Sequence, residues 1–270
     1  MNLLEKTTGF SLPGSSLRAF HGDAAIKEKY LLRVENHKRA DEIVKGKYWG
    51  NGKGCAVGCT IHSSSHNRYE DELGIPFQIA HLQDRIFESL PNEQAKEFPL
   101  EFLQKINVGA DLSLITPKMI LFILEDCILE DLKKDNFSDT DELKISIIKY
   151  TKVWRDFLAG NFKDIEEFKA AANNASAYAS AYVSAYASAY AYDSAYASVS
   201  AVASAYASVS DFASAFAYVY VSAFASAAAV AFTSAYVYVS ASEYAYTGSK
   251  MKDKLLELLV DCPGISGQVI

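Results

Sequence analysis

Residues 175–247 read ASAYASAYVSAYASAYAYDSAYASVSAVASAYASVSDFASAFAYVYVSAFASAAAVAFTSAYVYVSASEYAYT. The stretch is built almost wholly from Ala, Ser, Tyr, Val and Phe. It holds no Gly, Pro, Lys or Arg, and its only charges are Asp193, Asp211 and Glu243. Its reading decides the fold class, because two periods compete in it. Odd positions are Ala or Val with few exceptions and even positions are mostly Ser or an aromatic, the alternation of a strand. A β-chain of this length must turn, however, and the Gly, Pro and Asn-Gly signals that make hairpins or solenoid corners are missing from it. Alanine, the best helix former, fills close to half of it, and nothing in it breaks a helix.

Helical geometry adds a demand. A four-residue Ser-Ala-Tyr-Ala repeat drifts by about 40° per repeat on a 3.6-residue turn, so Tyr178, Tyr182, Tyr186 and Tyr190 cannot share one straight stripe. Their rings need cover from several sides, which predicts closely packed helices, Ala and Ser letting the backbones approach. Asp193 and Asp211, and the two YVYVSA copies at Tyr218 and Tyr236, are offset by 18 residues, about five helical turns or one rung of a β-solenoid. The expected fold is therefore all-α, a helical N-terminal domain plus the repeat packed as helices. The alternative is that the repeat forms a silk-like β-sheet or solenoid.

Taken whole, the 270-residue chain is 50% hydrophobic and carries a net charge of −7. That balance supports a core and argues against general nucleic-acid binding, which needs clustered cations. The N-terminal residues lack the apolar run of a secretory signal, and Ser and Tyr hydroxyls make the repeat a poor membrane span. Four cysteines in a chain this long suggest the cytoplasm. Three regions are expected: a mostly helical domain at 1–165, the repeat at 166–247, and a C-terminal helix and tail at 248–270.

Within the first region, apolar spacing predicts a helix from Asp23 to Lys45 with Gly46 as its C-cap, and His37 as one of its solvated or half-buried residues. Pro76 and Pro91 each open an amphipathic helix, Thr116 and Pro117 cap another, and Asp139 or Thr140 starts one ending at Gly160. A last helix follows Gly248 and Ser249 and is stopped by Pro263.

Candidate chemistry is confined to the loop at 49–68. Gly50, Gly52, Gly54 and Gly58 interleave with Lys53, a pattern that can form an anion nest of backbone N–H groups, although it lacks P-loop spacing. Trp49, Gly52, Lys53, Gly54 and Arg68 are the candidate ligand-binding residues. Cys55, Cys59, His62 and His66 have ligand types and spacing suited to a tetrahedral zinc. Alternatively Cys55 or Cys59 is a nucleophile, His62 or His66 its base and Asp71 the orienting acid. Packed cysteines and polar loop histidines are the reading without chemistry.

Segments FHGDAAIKEKYLLRVENHKRADEI, GKGCAVGCTIH, ELGIP and LPNEQAKEFPLEFL, with an Ala-rich repeat and a closing DKLLELL, resemble a group of uncharacterised bacterial and bacteriophage proteins. The resemblance spans nearly the whole chain and brings no activity with it. Two function classes follow. The first is a non-enzymatic binding protein, an accessory factor of a phage or mobile element, holding a small anionic ligand or a partner protein and able to form homo-oligomers. The second is a zinc- or thiol-dependent hydrolase. A self-assembling structural protein is the third reading, from the silk-like pattern.

Overall fold

The structure, a computed structural model, describes residues 17–134, 138–161, 166–168, 170–171, 173–175 and 241–264. The fold is all-α: among the described residues the only strands are a two-residue antiparallel pair, β1 (Trp49–Gly50) and β2 (Lys53–Gly54). The repeat at 176–240, on which the helix-or-β question was posed, lies outside the described residues. No helix among the described residues is long and apolar enough to cross a membrane. The described residues cluster into two compact units, one of 17–116 with 244–264 and the other drawn from residues 117–243.

In the first unit, α1 (Ala24–Arg39) starts at Asp23, whose carboxylate accepts from Ala25 N–H at 2.8 Å, satisfying a donor the helix cannot. It buries Tyr30 and Val34. The helix ends at Ala40 rather than near Gly46, because Asp41 turns left-handed (φ 54°) and Ile43 leaves to form a parallel bridge with Gly54. Gly46 serves a later turn, its N–H held by the Glu88 carboxylate at 3.0 Å. Helix α2 (Ala56–Ile61) is a short segment with every residue buried, and α3 (Arg68–Leu73) follows it.

Helices α4 (Phe77–Ser89) and α5 (Asn92–Lys105) begin directly after Pro76 and Pro91, as their sequence spacing indicates. Helix α1 packs on α5 and α2, and α4 packs on α5 and α2, so α2 is enclosed by the longer helices. The unit is completed by α9 (Ala241–Val260), which runs straight through Gly248 instead of starting after it. Gly248 lies against Ser89 of α4, where a Cβ would overlap the Ser89 hydroxyl. Met251, Leu255 and Leu259 of α9 are buried, and Asn107 donates to Cys262 O at 2.8 Å beyond its end.

In the second unit, α6 (Ile115–Phe122) begins ahead of Thr116 and Pro117, which sit in its first turn. It passes through a π-helical stretch, Ile123–Leu129, into α7 (Glu130–Lys134). Helix α8 (Glu142–Leu158) lies on the π-helical stretch, and Arg155 Nε donates to Glu125 at 3.0 Å. Its core is aromatic: Trp154 meets Phe168 edge-on at 4.6 Å and Phe157 at 5.7 Å. The cap of α8 is Asp141, whose carboxylate accepts from Leu143 N–H at 2.9 Å, and Gly160 follows its end at φ 76°. Asp139 instead pairs with Lys144 at 2.7 Å.

Replacing Asp141 with Ala should lower stability by about 1 kcal/mol through loss of this cap. Thr140→Ala, at an exposed position, should stay within about 0.5 kcal/mol. Urea unfolding of both variants measures the difference, and equal losses would mean that the cap is misassigned.

Candidate functional site

The chemistry-bearing loop is folded by an Asn-Gly turn. Asn51 and Gly52 both have positive φ (54° and 77°), and they join the pairs Trp49↔Gly54 and Gly50↔Lys53. This is the two-residue hairpin connection whose twist matches that of its strands. N–H groups expected to form an anion nest are instead used within the protein. Gly54 N–H donates to Glu42 O at 3.1 Å, and Cys55 N–H to Lys47 O at 2.6 Å and Tyr48 O at 3.1 Å. Gly54 and Gly58 press against that same Tyr48 carbonyl, which a Cβ at either position would overlap. Lys53 is exposed, with Nζ 3.5 Å from Asp41 O. Arg68, on α3, is ion-paired with Glu72.

Helix α2 carries the two loop cysteines inward. Cys55 caps its start and Cys59 lies within it, and they are 1% and 0% exposed. The Cys59 thiol donates to Gly54 O at 3.3 Å. Burial pushes the Cys59 thiol up to about 12. Burial, reinforced by the Asp84 carboxylate, raises Cys55 further. Both are protonated at neutral pH and closed to a substrate, whereas nucleophilic thiols are partly exposed and have a lowered pKa.

The two loop histidines go separate ways. His62 ends α2 in the left-handed conformation (φ 52°), which keeps its ring at the surface. Its Nε2 is 2.7 Å from Nε2 of His37, and His37 Nδ1 is 2.6 Å from Glu42 Oε2. The Trp49 indole stacks on the His62 ring at 4.4 Å with an 11° interplanar angle, and His37 meets both rings edge-on. Burial, then the nearby Arg33 and His37, lower the His62 pKa.

His66, by contrast, is buried. It stacks on His81 of α4 at 4.0 Å, with Nε2 3.4 Å from Asp84 and the Tyr48 ring edge-on at 5.6 Å. Cys55, Cys59, His62 and His66 thus do not converge, and among the described residues no group of three or more His, Cys, Asp or Glu is placed to hold a metal ion. Asp71 lies exposed in the first turn of α3, where its backbone carbonyl meets His21 Nε2 at 3.0 Å. Among the described residues, the Glu42 carboxylate reaches His37 and the Asp84 carboxylate reaches His66.

Glu42 and His37 were not singled out for this role by the sequence. His37 is separated from His62 by 25 residues, and only the packing of α1 on α2 joins them. Comparison with protein-family models, curated proteins and solved structures finds no match.

The buried stack has a pH consequence. Burial, then repulsion from His66 and Arg85, lower His81 to about 4 from 6.5, against a smaller opposing pull from Asp84. Between those values the unfolded chain binds more protons than the folded one, so the stability is full above pH 6.5 and lost as pH falls toward 4. The contribution is at most about 3 kcal/mol. In urea unfolding at neutral pH and at the acid end of that window, the wild-type loss should shrink in His81→Phe. Identical losses in the two proteins would remove His81 as the cause.

Proposed function

We propose that this chain is a non-enzymatic binding protein that holds a small anionic ligand on the Trp49–His62 face. The observation that carries the reading is the stacked Trp49–His62 pair, presented at the surface and braced from behind by His37 and Glu42. Side chains locked by packing and hydrogen bonds lose little entropy when a ligand arrives. Exposed Lys53, paired with Gly50 across the hairpin, supplies a positive charge on the same hairpin. Arg33 and His37 add to the burial that disfavours a proton on His62, against opposing pulls from Glu72 and Glu42.

The hydrolase reading has less support. A thiol enzyme needs an accessible thiolate, and Cys55 and Cys59 are buried and protonated. A catalytic zinc takes three protein ligands, and the two loop histidines offered for it go to separate pairs, His62 with His37 and His66 with His81. An accessory role in a phage or mobile element rests on the sequence resemblance alone.

Native mass spectrometry of protein taken directly from cells tests the proposal. The expected result is a small-molecule adduct on the wild type that is lost from Trp49→Ala and weakened at least tenfold in Lys53→Ala. An adduct retained by both variants, or a wild type free of adduct and unresponsive to added phosphate or carboxylate compounds, would overturn it.

A further inference from the structure

We propose that residues 63–67, in the loop between α2 and α3, form an acid-released latch: a proton on His81 expels His66, and the loop opens while the helices around it stay folded. The latch stands on the buried side of the loop and does not depend on the anion reading above.

Three observations lead to it. First, His66 is the only buried residue of the segment; Ser64, Ser65 and Asn67 are exposed and Ser63 is half-buried. A segment pinned by one side chain, with its other residues in solvent, is of the kind that opens locally. Second, the pin is a ring contact rather than a hydrogen bond. The His66 imidazole lies nearly parallel to that of His81, 10° apart at a centroid separation of 4.0 Å. Its Nε2 makes no hydrogen bond, although Asp84 Oδ2 is 3.4 Å away. Third, two stacked imidazoles share one neighbouring carboxylate. The pair accommodates one positive charge opposite Asp84, and a second would lie ring against ring with the first, where like charges repel.

The other groups packed around the stack offer no second counter-charge. On α4, Arg85 adds repulsion at His81, and Asp84 is the acid that pulls the other way. Glu88, further along α4, accepts from Gly46 N–H and faces Lys45. The hairpin sets the Tyr48 ring edge-on against His66, α2 contributes the Cys55 thiol bonded to Asp84, and Tyr69 of α3 donates to Gln83. Burial raises Tyr48, Cys55 and Tyr69, so all three are neutral throughout the acid range.

Lifting His66 bares one face of His81, leaving Phe77 edge-on at 6.0 Å. In the closed form, burial and the neighbouring His66 and Arg85 hold His81 to about 4, whereas a hydrated imidazole titrates near 6.5. Below pH 6.5 the open form therefore binds a proton that the closed form excludes. Opening grows more favourable as pH falls toward 4, by up to about 25-fold between pH 7.5 and pH 5. It also brings solvent to Asp84, the carboxylate bonded to the Cys55 thiol.

Hydrogen exchange of the full chain tests the latch at the Arg68 and Tyr69 amides, which donate to Ser65 O at 3.2 Å and His66 O at 3.0 Å. The Cys59 amide in buried α2, bonded to Cys55 O at 2.9 Å, reports unfolding of the whole unit. After correction for intrinsic rates, lowering the pH from 7.5 to 5 should speed exchange at Arg68 and Tyr69 by about 10- to 25-fold. At pH 5 both should exchange at least about tenfold faster than Cys59, and dilute urea should speed Cys59 alone, because local opening exposes little surface. These measurements need no variant. His81→Phe, which keeps a ring against His66 but takes no proton, should abolish the acceleration. Arg68 and Tyr69 amides as protected as Cys59 at pH 5 would assign the acid response to global unfolding and overturn the latch. An undiminished acceleration in His81→Phe would assign it to another group, with the same consequence.

Discussion

The contact on which the first unit depends is the close approach of the Tyr48 carbonyl to two glycines. Gly54 ends the hairpin and Gly58 lies one turn into α2, and a side chain at either would overlap that oxygen. The same oxygen accepts Cys55 N–H at 3.1 Å. Hairpin and helix are therefore clamped together at a separation that only glycine permits. A helix of six residues has too few hydrogen bonds to stand alone. This one persists because it is fully buried among α1, α4 and α5 and because the clamp fixes its start.

What the molecule can offer chemically follows from that clamp. Held inward, α2 seals Cys55 and Cys59 away from solvent and keeps their thiols protonated. Its far end emerges at His62, whose left-handed backbone turns the ring out over Trp49 of the hairpin. The longest partner of α2, helix α1, brings His37 up from behind, and the residues after α1 bring Glu42. One short segment thus separates a buried pair of thiols from an exposed imidazole, His62, backed by the half-buried His37. The residues richest in conventional reactivity are hidden, and a histidine and tryptophan pair is displayed.

Much of the helical scaffold was legible in the sequence. Pro76 and Pro91 mark their helix starts because proline's fixed φ and missing N–H suit a first turn, and Gly160 marks an end for the converse reason. The end of α1 was not legible, because apolar spacing continues to Ile43 while a bridge to Gly54, remote in sequence, takes that residue out of the helix. The Asn51-Gly52 hairpin carried its usual signal, but neighbouring glycines made the loop resemble an anion nest. For Gly248, the apparent break is a packing requirement against Ser89. The His37–His62 pair and its Glu42 support arise from tertiary packing between separate segments, which no local spacing encodes.

The most direct test of this account is the stability of Gly58→Ala. Helix propensity alone favours the substitution by about 1 kcal/mol, since alanine is the better helix residue. The clamp predicts the opposite sign: urea unfolding should show a loss of about 2 kcal/mol or more, and hydrogen exchange at the Cys55 amide should accelerate. A Gly58→Ala protein as stable as the wild type, with the Cys55 amide equally protected, would contradict the central place given to the Tyr48 carbonyl.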